Sequence, residues 1–193
     1  MAKKALVLLA EGFEEVETVT PITYLRRACV EVTTAAIGES LTVNGARRGQ
    51  IKADTTLTEL APNGVPCGMP DVSGWDAVII PGGIKGAENM AACEKAGIFI
   101  KEMAKNGKLV CAICASPAIV LAPLGLLSGK KFTCYPGFED KVKDGKWLAE
   151  RIVIDGNIIT SRAAGTSGEF AIEIIKHLLG ETEAEKIAKT VLL

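Results

Sequence analysis

Lys108-Leu-Val-Cys-Ala-Ile-Cys114-Ala-Ser-Pro117 is an apolar strand that runs without a linker into the start of a helix. A continuous apolar run of this length is what a strand buried on both faces requires. Pro117 suits a first helical turn, where its missing N–H costs nothing. Cys114 therefore falls on a tight turn, with its side chain projecting clear of the sheet. The N–H groups that follow such a turn have no partner and carry partial positive charge. Those conditions favour a thiolate over a thiol. Position alone leaves a plainer reading open, that of a small buried hydrophobe, as many free cysteines are. Cys111 and Cys114 also spell C-x-x-C. Three residues of extended chain span about 10 Å, beyond the roughly 7 Å Cα separation of a disulfide. With no second C-x-x-C and no neighbouring His, the zinc pattern is missing too. Cys111 reads as core, and no metal site is expected.

Outward from this turn, short apolar runs alternate with amphipathic stretches. Residues 5–10 predict a first strand, 14–29 a helix and 30–37 a β-branched strand. Residues 41–54 are polar and glycine-containing, an expected hairpin or irregular excursion. The prolines and glycines of 61–74 read as a loop. A second strongly apolar strand, 77–80, ends in Pro81-Gly82-Gly83; a helix is expected over 92–105, and Asn106-Gly107 stops it. The strand 108–113 leads to a mostly apolar helix over 115–126. Residues 151–154 and 157–160 flank Asp155-Gly156 as a hairpin, and helices near 168–179 and 181–191 follow. Buried strands alternating with helices predict a single domain over 1–193, an α/β sandwich with a mainly parallel central sheet. In such sheets sites form beyond the carboxyl ends of the strands. Glu11 to Glu17, Pro81 to Gly83 and Cys114 all fall there.

The partners available to the thiol follow from those ends. Gly82 and Gly83 let backbone approach closely and turn N–H groups toward a ligand; with the Ala115 N–H they are candidates for an oxyanion hole. Taken alone, Pro-Gly-Gly is equally an ordinary turn. Glu17 is one of four acids after the first strand, most of which are expected to be solvated charges at a helix N-terminus. Pro21, four residues on, cannot donate to the Glu17 carbonyl and marks a local distortion. The sole histidine, His177, falls in register with Glu169, Glu173 and Lys176, opposite Phe170, Ile174, Ile175 and Leu178. It reads as a surface residue, so a Cys-His dyad of the protease or amidotransferase kind is not expected.

With 22 Lys and Arg against 23 Asp and Glu, the net charge of −1 gives no electrostatic case for nucleic acid or an anionic membrane. The apolar runs are too short to span a bilayer, and the acids after residue 10 do not fit a signal peptide. Six dispersed cysteines in a chain this apolar imply reduced thiols and a cytoplasmic protein.

Together, Ala5-Leu-Val-Leu-Leu-Ala-Glu-Gly-Phe-Glu-Glu-Val-Glu17-Thr-Val-Thr-Pro21, Ile80-Pro-Gly-Gly83, Gly86-Ala-Glu-Asn89, Ala112-Ile-Cys-Ala-Ser-Pro117, Thr160-Ser-Arg-Ala-Ala-Gly-Thr-Ser167 and Glu169-Phe-Ala171 resemble the ThiJ/PfpI superfamily. That superfamily has the class I glutamine amidotransferase-like, flavodoxin-like α/β/α sandwich. The resemblance is to the branch of the human Parkinson-disease protein deglycase and bacterial YajL, and it covers nearly the whole chain. It implies that Cys114 is the nucleophilic, oxidation-sensitive cysteine, that Glu17 hydrogen-bonds its sulfur, and that Gly83 and Ala115 are backbone donors. It also implies that Arg47 and Arg162 are structural arginines near the site and dimer interface, that the protein is a homodimer, and that no metal or organic cofactor is needed. Two positions depart from the pattern. Thr133-Cys134-Tyr135-Pro136 stands where many relatives have Thr-x-His-Pro, and Ala164 stands for the proline of Gly-Pro-Gly-Thr. Tyr135 is suited to hydrogen-bonding a substrate oxygen but not to acting as a base near neutrality. The implied activity is glyoxalase or deglycase chemistry on glyoxal, methylglyoxal or their early protein adducts. The alternative is a stress sensor or redox-regulated chaperone acting through a Cys114 sulfinic acid.

Overall fold

The computed structural model describes residues 2–60 and 71–193. Most of the expected 61–74 loop lies outside them. Strands β1 (Lys4–Leu9), β2 (Glu31–Ala36), β5 (Thr55–Thr56), β6 (Ala77–Ile80), β7 (Leu109–Ile113), β10 (Ile152–Asp155) and β11 (Ile158–Ser161) form the central sheet. Their order is β10-β11-β7-β6-β1-β2-β5, parallel throughout except for the antiparallel hairpin β10–β11. A smaller hairpin, β3 (Thr42–Asn44) with β4 (Gln50–Lys52), stands beside the sheet.

Alternation along β1 divides the core. Ala5, Val7 and Leu9 face one layer of helices: α1 (Glu15–Arg27), α4 (Ser167–Leu179) and α5 (Glu181–Val191). Leu6 and Leu8 face α2 (Ile84–Ala92) and α3 (Glu94–Lys105), packing with Met90, Phe99, Ile100 and Met103. Both faces of the sheet are therefore covered, which is why its strands read as unbroken apolar runs.

From β1 the chain passes first to β2 and later to β6 on the other side. That reversal opens a crevice at the carboxyl ends of β1 and β6. No helix among the described residues is long and apolar enough to cross a membrane.

One local expectation differs from the structure, and two elements lie where none was expected. Residues 115–126 do not form one helix: a π-helical turn spans Pro117–Leu121, closed by Ala122 N–H donating to Pro117 O at 3.0 Å, and turns follow. Pro123 lacks the N–H needed to extend it, and Gly125 sits at φ +76°. Helix α2 begins directly after Gly83, where the sequence suggests only a turn. The second apolar layer also gains a short pairing of β8 (Lys131–Phe132) with β9 (Lys146–Trp147), two-residue strands with no periodicity to betray them.

Candidate active site

Cys114 closes β7 in the left-handed region, at φ +64°. A non-glycine residue there is strained, and such strain persists only where its surroundings over-determine it. Three contacts do so. The Cys114 N–H donates to Ser161 O at 2.9 Å, its carbonyl accepts from the Tyr135 N–H at 2.8 Å, and Ser116 Oγ donates to Pro81 O at 2.6 Å. The half-buried thiol is thereby held at the end of the sheet between the termini of β6 and β11.

Glu17 reaches the same point from the first turn of α1. Glu14 caps that helix, its carboxylate accepting the Glu17 N–H at 2.8 Å. Pro21 is accommodated inside the helix, which continues through it. The Glu17 side chain is 1% exposed and hydrogen-bonded to the Cys114 thiol, and its Oε2 accepts the Gly82 N–H at 2.9 Å. Gly82 therefore orients the acid rather than facing a substrate oxygen. A Cβ on Gly82 would lie 2.6 Å from the Cys114 Cβ, closer than the packing allows. Gly83 sits at φ +86°, and a Cβ there would meet Glu14 N at 2.9 Å and Gly12 O closer still. Its N–H and that of Ala115 point at the Cys114 sulfur.

Burial raises the Glu17 carboxyl from 4.5 to about 7 and the Glu14 charge adds to it, while the Cys114 thiol and the Gly82 and Ala164 N–H groups pull it back. Burial, then, rather than repulsion from the sulfur, is the main cause. Burial also pushes the Cys114 thiol up, and an ionised Glu17 raises it further, against the lowering effect of the Gly83 and Ala115 N–H groups. Once that acid is protonated its charge contribution vanishes and its hydrogen bond changes sign, because its O–H then donates to the sulfur. The two groups are coupled, and the Gly83 and Ala115 N–H groups lower the cost of placing charge on the sulfur with the proton on Glu17.

A cleft of about 410 Å³ opens onto this pair, lined by Glu14, Glu17, Ala46, Arg47, Gly83, Ile84, Lys85, Cys114, Tyr135, Ala163 and Ala164. Arg47 and Tyr135 are thus brought to Cys114. Arg162 is not among the lining residues; it follows β11, its N–H donates to Arg151 O, and its charge lowers the Cys134 thiol. Cys134 is fully buried, its thiol pushed up to about 12 chiefly by burial. Cys111 is fully buried within β7. His177 is exposed near the opposite end of the sheet, beside Lys3, Asp76 and Lys108, its Nδ1 3.2 Å from Glu173. Among the described residues no cluster of three or more His, Cys, Asp or Glu is arranged to hold a metal ion.

Two positioning residues escape sequence reading. Glu15 Oε1 accepts the N–H groups of Arg47 at 2.7 Å and Gly49 at 3.0 Å, clasping the turn that carries Arg47. Ser116 ties the elbow to β6. Both partners lie more than thirty residues away in sequence, so no local pattern signals them.

The DJ-1/PfpI family model matches residues 3–177. The chain is 39% identical over 188 residues to Protein DJ-1 homolog A of Arabidopsis thaliana, covering 97% of this chain but only 45% of that protein, so it spans less than half of that relative's length. It is 32% identical over 194 residues to a glutathione-independent glyoxalase of Caenorhabditis elegans, DJR-1.2, covering 99% and 97% of the two chains. The crystal structure of Drosophila melanogaster DJ-1beta superposes with a TM-score of 0.91 at 35% identity, covering 100% of this chain and 99% of that one.

Proposed function

We propose, from the premise that this chain belongs to the DJ-1/PfpI family, that it is a cysteine-dependent, glutathione-independent glyoxalase, acting on glyoxal, methylglyoxal or their early protein adducts. The observation that carries this reading is the buried Glu17 carboxyl, held at about 7 against the sulfur of the elbow cysteine. A thiolate paired with a neutral acid is a nucleophile supplied with its own proton source.

The Cys114 thiolate adds to the aldehyde carbon, forming a C–S bond, and the new oxyanion faces the Gly83 and Ala115 N–H groups. Glu17 gives this oxygen its proton and becomes a carboxylate. As a base it then removes the hydrogen on the former aldehyde carbon and returns it to the neighbouring carbon, while the hydroxyl proton passes to the former ketone oxygen through the enediol. The product is a thioester of a 2-hydroxy acid. Water cleaves it, releasing the acid and restoring the thiolate and protonated Glu17. One carbon is oxidised and its neighbour reduced by the same electron pair, so the stoichiometry requires only water. A carboxyl near 7 suits both of its roles.

The test is lactate formation from methylglyoxal without glutathione. Wild type should form it, Cys114→Ala should not, and Glu17→Gln should lose about 10²-fold or more, the range for general acid–base groups. Full turnover by Cys114→Ala would overturn the proposal.

The same geometry supports redox sensing as a second role. Two N–H donors and a protonated carboxyl suit a Cys114 sulfinate. Peptide mass spectrometry after mild peroxide should then find sulfinate at Cys114 ahead of the other cysteines, and equal oxidation of all six would dismiss it. We take the chain to act as a cytoplasmic homodimer. Val16 and Val19, 49% and 45% exposed on α1, are an apolar face such a dimer would cover. Light scattering checks the assembly.

A further inference from the structure

The Cys114 cleft is far roomier than a three-carbon dicarbonyl needs. At about 410 Å³ it falls in the range of pockets that enclose drug-sized ligands. Beside the charged Glu14, Glu17, Arg47 and Lys85, most of its exposed wall is apolar, from Ala46, Ile84, Tyr135, Ala163 and Ala164. Two of these are large side chains that the fold leaves uncovered, Ile84 at 54% and Tyr135 at 44% exposure.

Tyr135 is not loose. Its N–H is fixed on the Cys114 carbonyl at 2.8 Å, and its ring meets Phe138 edge to face, with centroids 6.1 Å apart at 75°. Phe138 is held in turn by the Lys141 ammonium, 4.4 Å from its ring centre. A rigid aromatic wall beside the nucleophile gains little from a methyl group and much from a second ring, because aromatic pairs add to simple area burial.

We infer that Tyr135, with Ile84, is a specificity-determining residue of this site, and that its preferred substrates are 2-oxoaldehydes carrying an aromatic or bulky apolar substituent. The inference rests on the glyoxalase reading above and names its substrate class. The aldehyde carbon bonds to the Cys114 sulfur while the substituent lies along the apolar wall. For phenylglyoxal as the probe, the overall change is one dicarbonyl plus one water to one mandelate. The aldehyde carbon is oxidised to the carboxylate and the ketone carbon reduced to the carbinol, with no further oxidant or reductant.

The experiment compares kcat/KM for phenylglyoxal and methylglyoxal, following mandelate and lactate, in wild type, Tyr135→Ala, Tyr135→Phe, Ile84→Ala and Cys114→Ala. Wild type should prefer phenylglyoxal. Tyr135→Ala should lower the phenylglyoxal-to-methylglyoxal ratio about ten-fold, mainly through KM, the size of an aromatic contact. Tyr135→Phe should keep the ratio, since the ring and not the hydroxyl is used, and Ile84→Ala should lower it less. Cys114-dependent turnover of methylglyoxal with a ratio unmoved by Tyr135→Ala overturns the substrate class and leaves the glyoxalase reading standing. Turnover of neither compound, or turnover that survives Cys114→Ala, overturns both. Faster turnover of 4,5-dioxopentanoate, of similar size but ending in a carboxylate, would mean that Arg47 and Lys85 read an anion and would also overturn the inference.

Discussion

Glu17→Gln should stabilise the fold at alkaline pH and leave it unchanged in acid. Glu17 is 1% exposed, and its carboxyl is held at about 7 against an ordinary 4.5. Between those two values the native chain keeps a proton that the unfolded chain has lost. Stability therefore falls as pH rises through that window. Below 4.5 both states are protonated and nothing is lost; above about 7 the full penalty applies. At 1.36 kcal/mol per pH unit, the rise amounts to about 3 kcal/mol. Glutamine keeps the shape, its carbonyl accepting the Gly82 N–H and its amide donating to the Cys114 sulfur, with no charge to bury. At pH 8 the variant should gain up to about 3 kcal/mol in urea denaturation, or roughly 6–12 °C in Tm for a chain of this size. At pH 4 it should match wild type. The proton count is that of the Cys114–Glu17 pair and is the same whichever atom keeps the last one. A difference that does not change between pH 4 and 8, or a variant less stable at pH 8, would refute it.

The proposed mechanism, which puts the pair's charge on sulfur while Glu17 keeps its proton, predicts that iodoacetamide alkylation of Cys114 rises through about pH 7; a rise only above pH 9 would place the charge on Glu17 and refute that step. Gly82→Ala puts a methyl 2.6 Å from the Cys114 Cβ and against Glu17. It should cost about 10²-fold in turnover through misplacement and about 1–3 kcal/mol of stability through overpacking, read by lactate formation and urea denaturation. Glu15→Ala removes the acceptor shared by the Arg47 and Gly49 N–H groups. It should destabilise by about 1–3 kcal/mol, with most of that restored in Glu15→Gln, whose amide oxygen still accepts.

What the residues made legible was what local chemistry controls. Ala5 to Ala10, Ala77 to Ile80 and Leu109 to Ile113 could hardly be anything but strands buried on both faces, and the order of apolar and amphipathic stretches carried the parallel sheet with it. No helix is legible over 84–91, where Gly86 interrupts the pattern; it is glycine because a Cβ there would meet Gly12 O at 2.8 Å. The constraint is backbone against backbone across the crevice, invisible in a helical window. At residues 115–126 the error ran the other way: apolar periodicity suggested a helix that Pro123 and Gly125 forbid. The site was legible in the residues at Cys114, whose type and turn announce its chemistry; Glu17, one of four neighbouring acids, stood out only through the family resemblance. Gly83 and Ala115 were legible as backbone donors from the glycine turn and the helix start; that Gly82 and Ala164 donate to Glu17 was not, since they act through atoms that every residue but proline carries.

Buried Glu17 gives the site a group that titrates near neutrality although its histidine lies at the far end of the sheet. A histidine beside a cysteine offers a group that titrates near neutrality and, as an imidazolium, stabilises the thiolate by its charge. Glu17 reaches the same pH range by a different route, desolvation of an acid. Its proton-holding form is neutral, so the thiolate it accompanies is held only by hydrogen bonds, from Gly83, Ala115 and Glu17 itself. A thiolate stabilised less by charge keeps a higher basicity, and nucleophilicity rises with basicity. The arrangement suits addition to a carbonyl followed by proton transfer between adjacent carbons, where the base must be a carboxylate only after the sulfur has reacted. It suits amide cleavage poorly, because a leaving amine needs a proton at the moment when Glu17 has already given up its own.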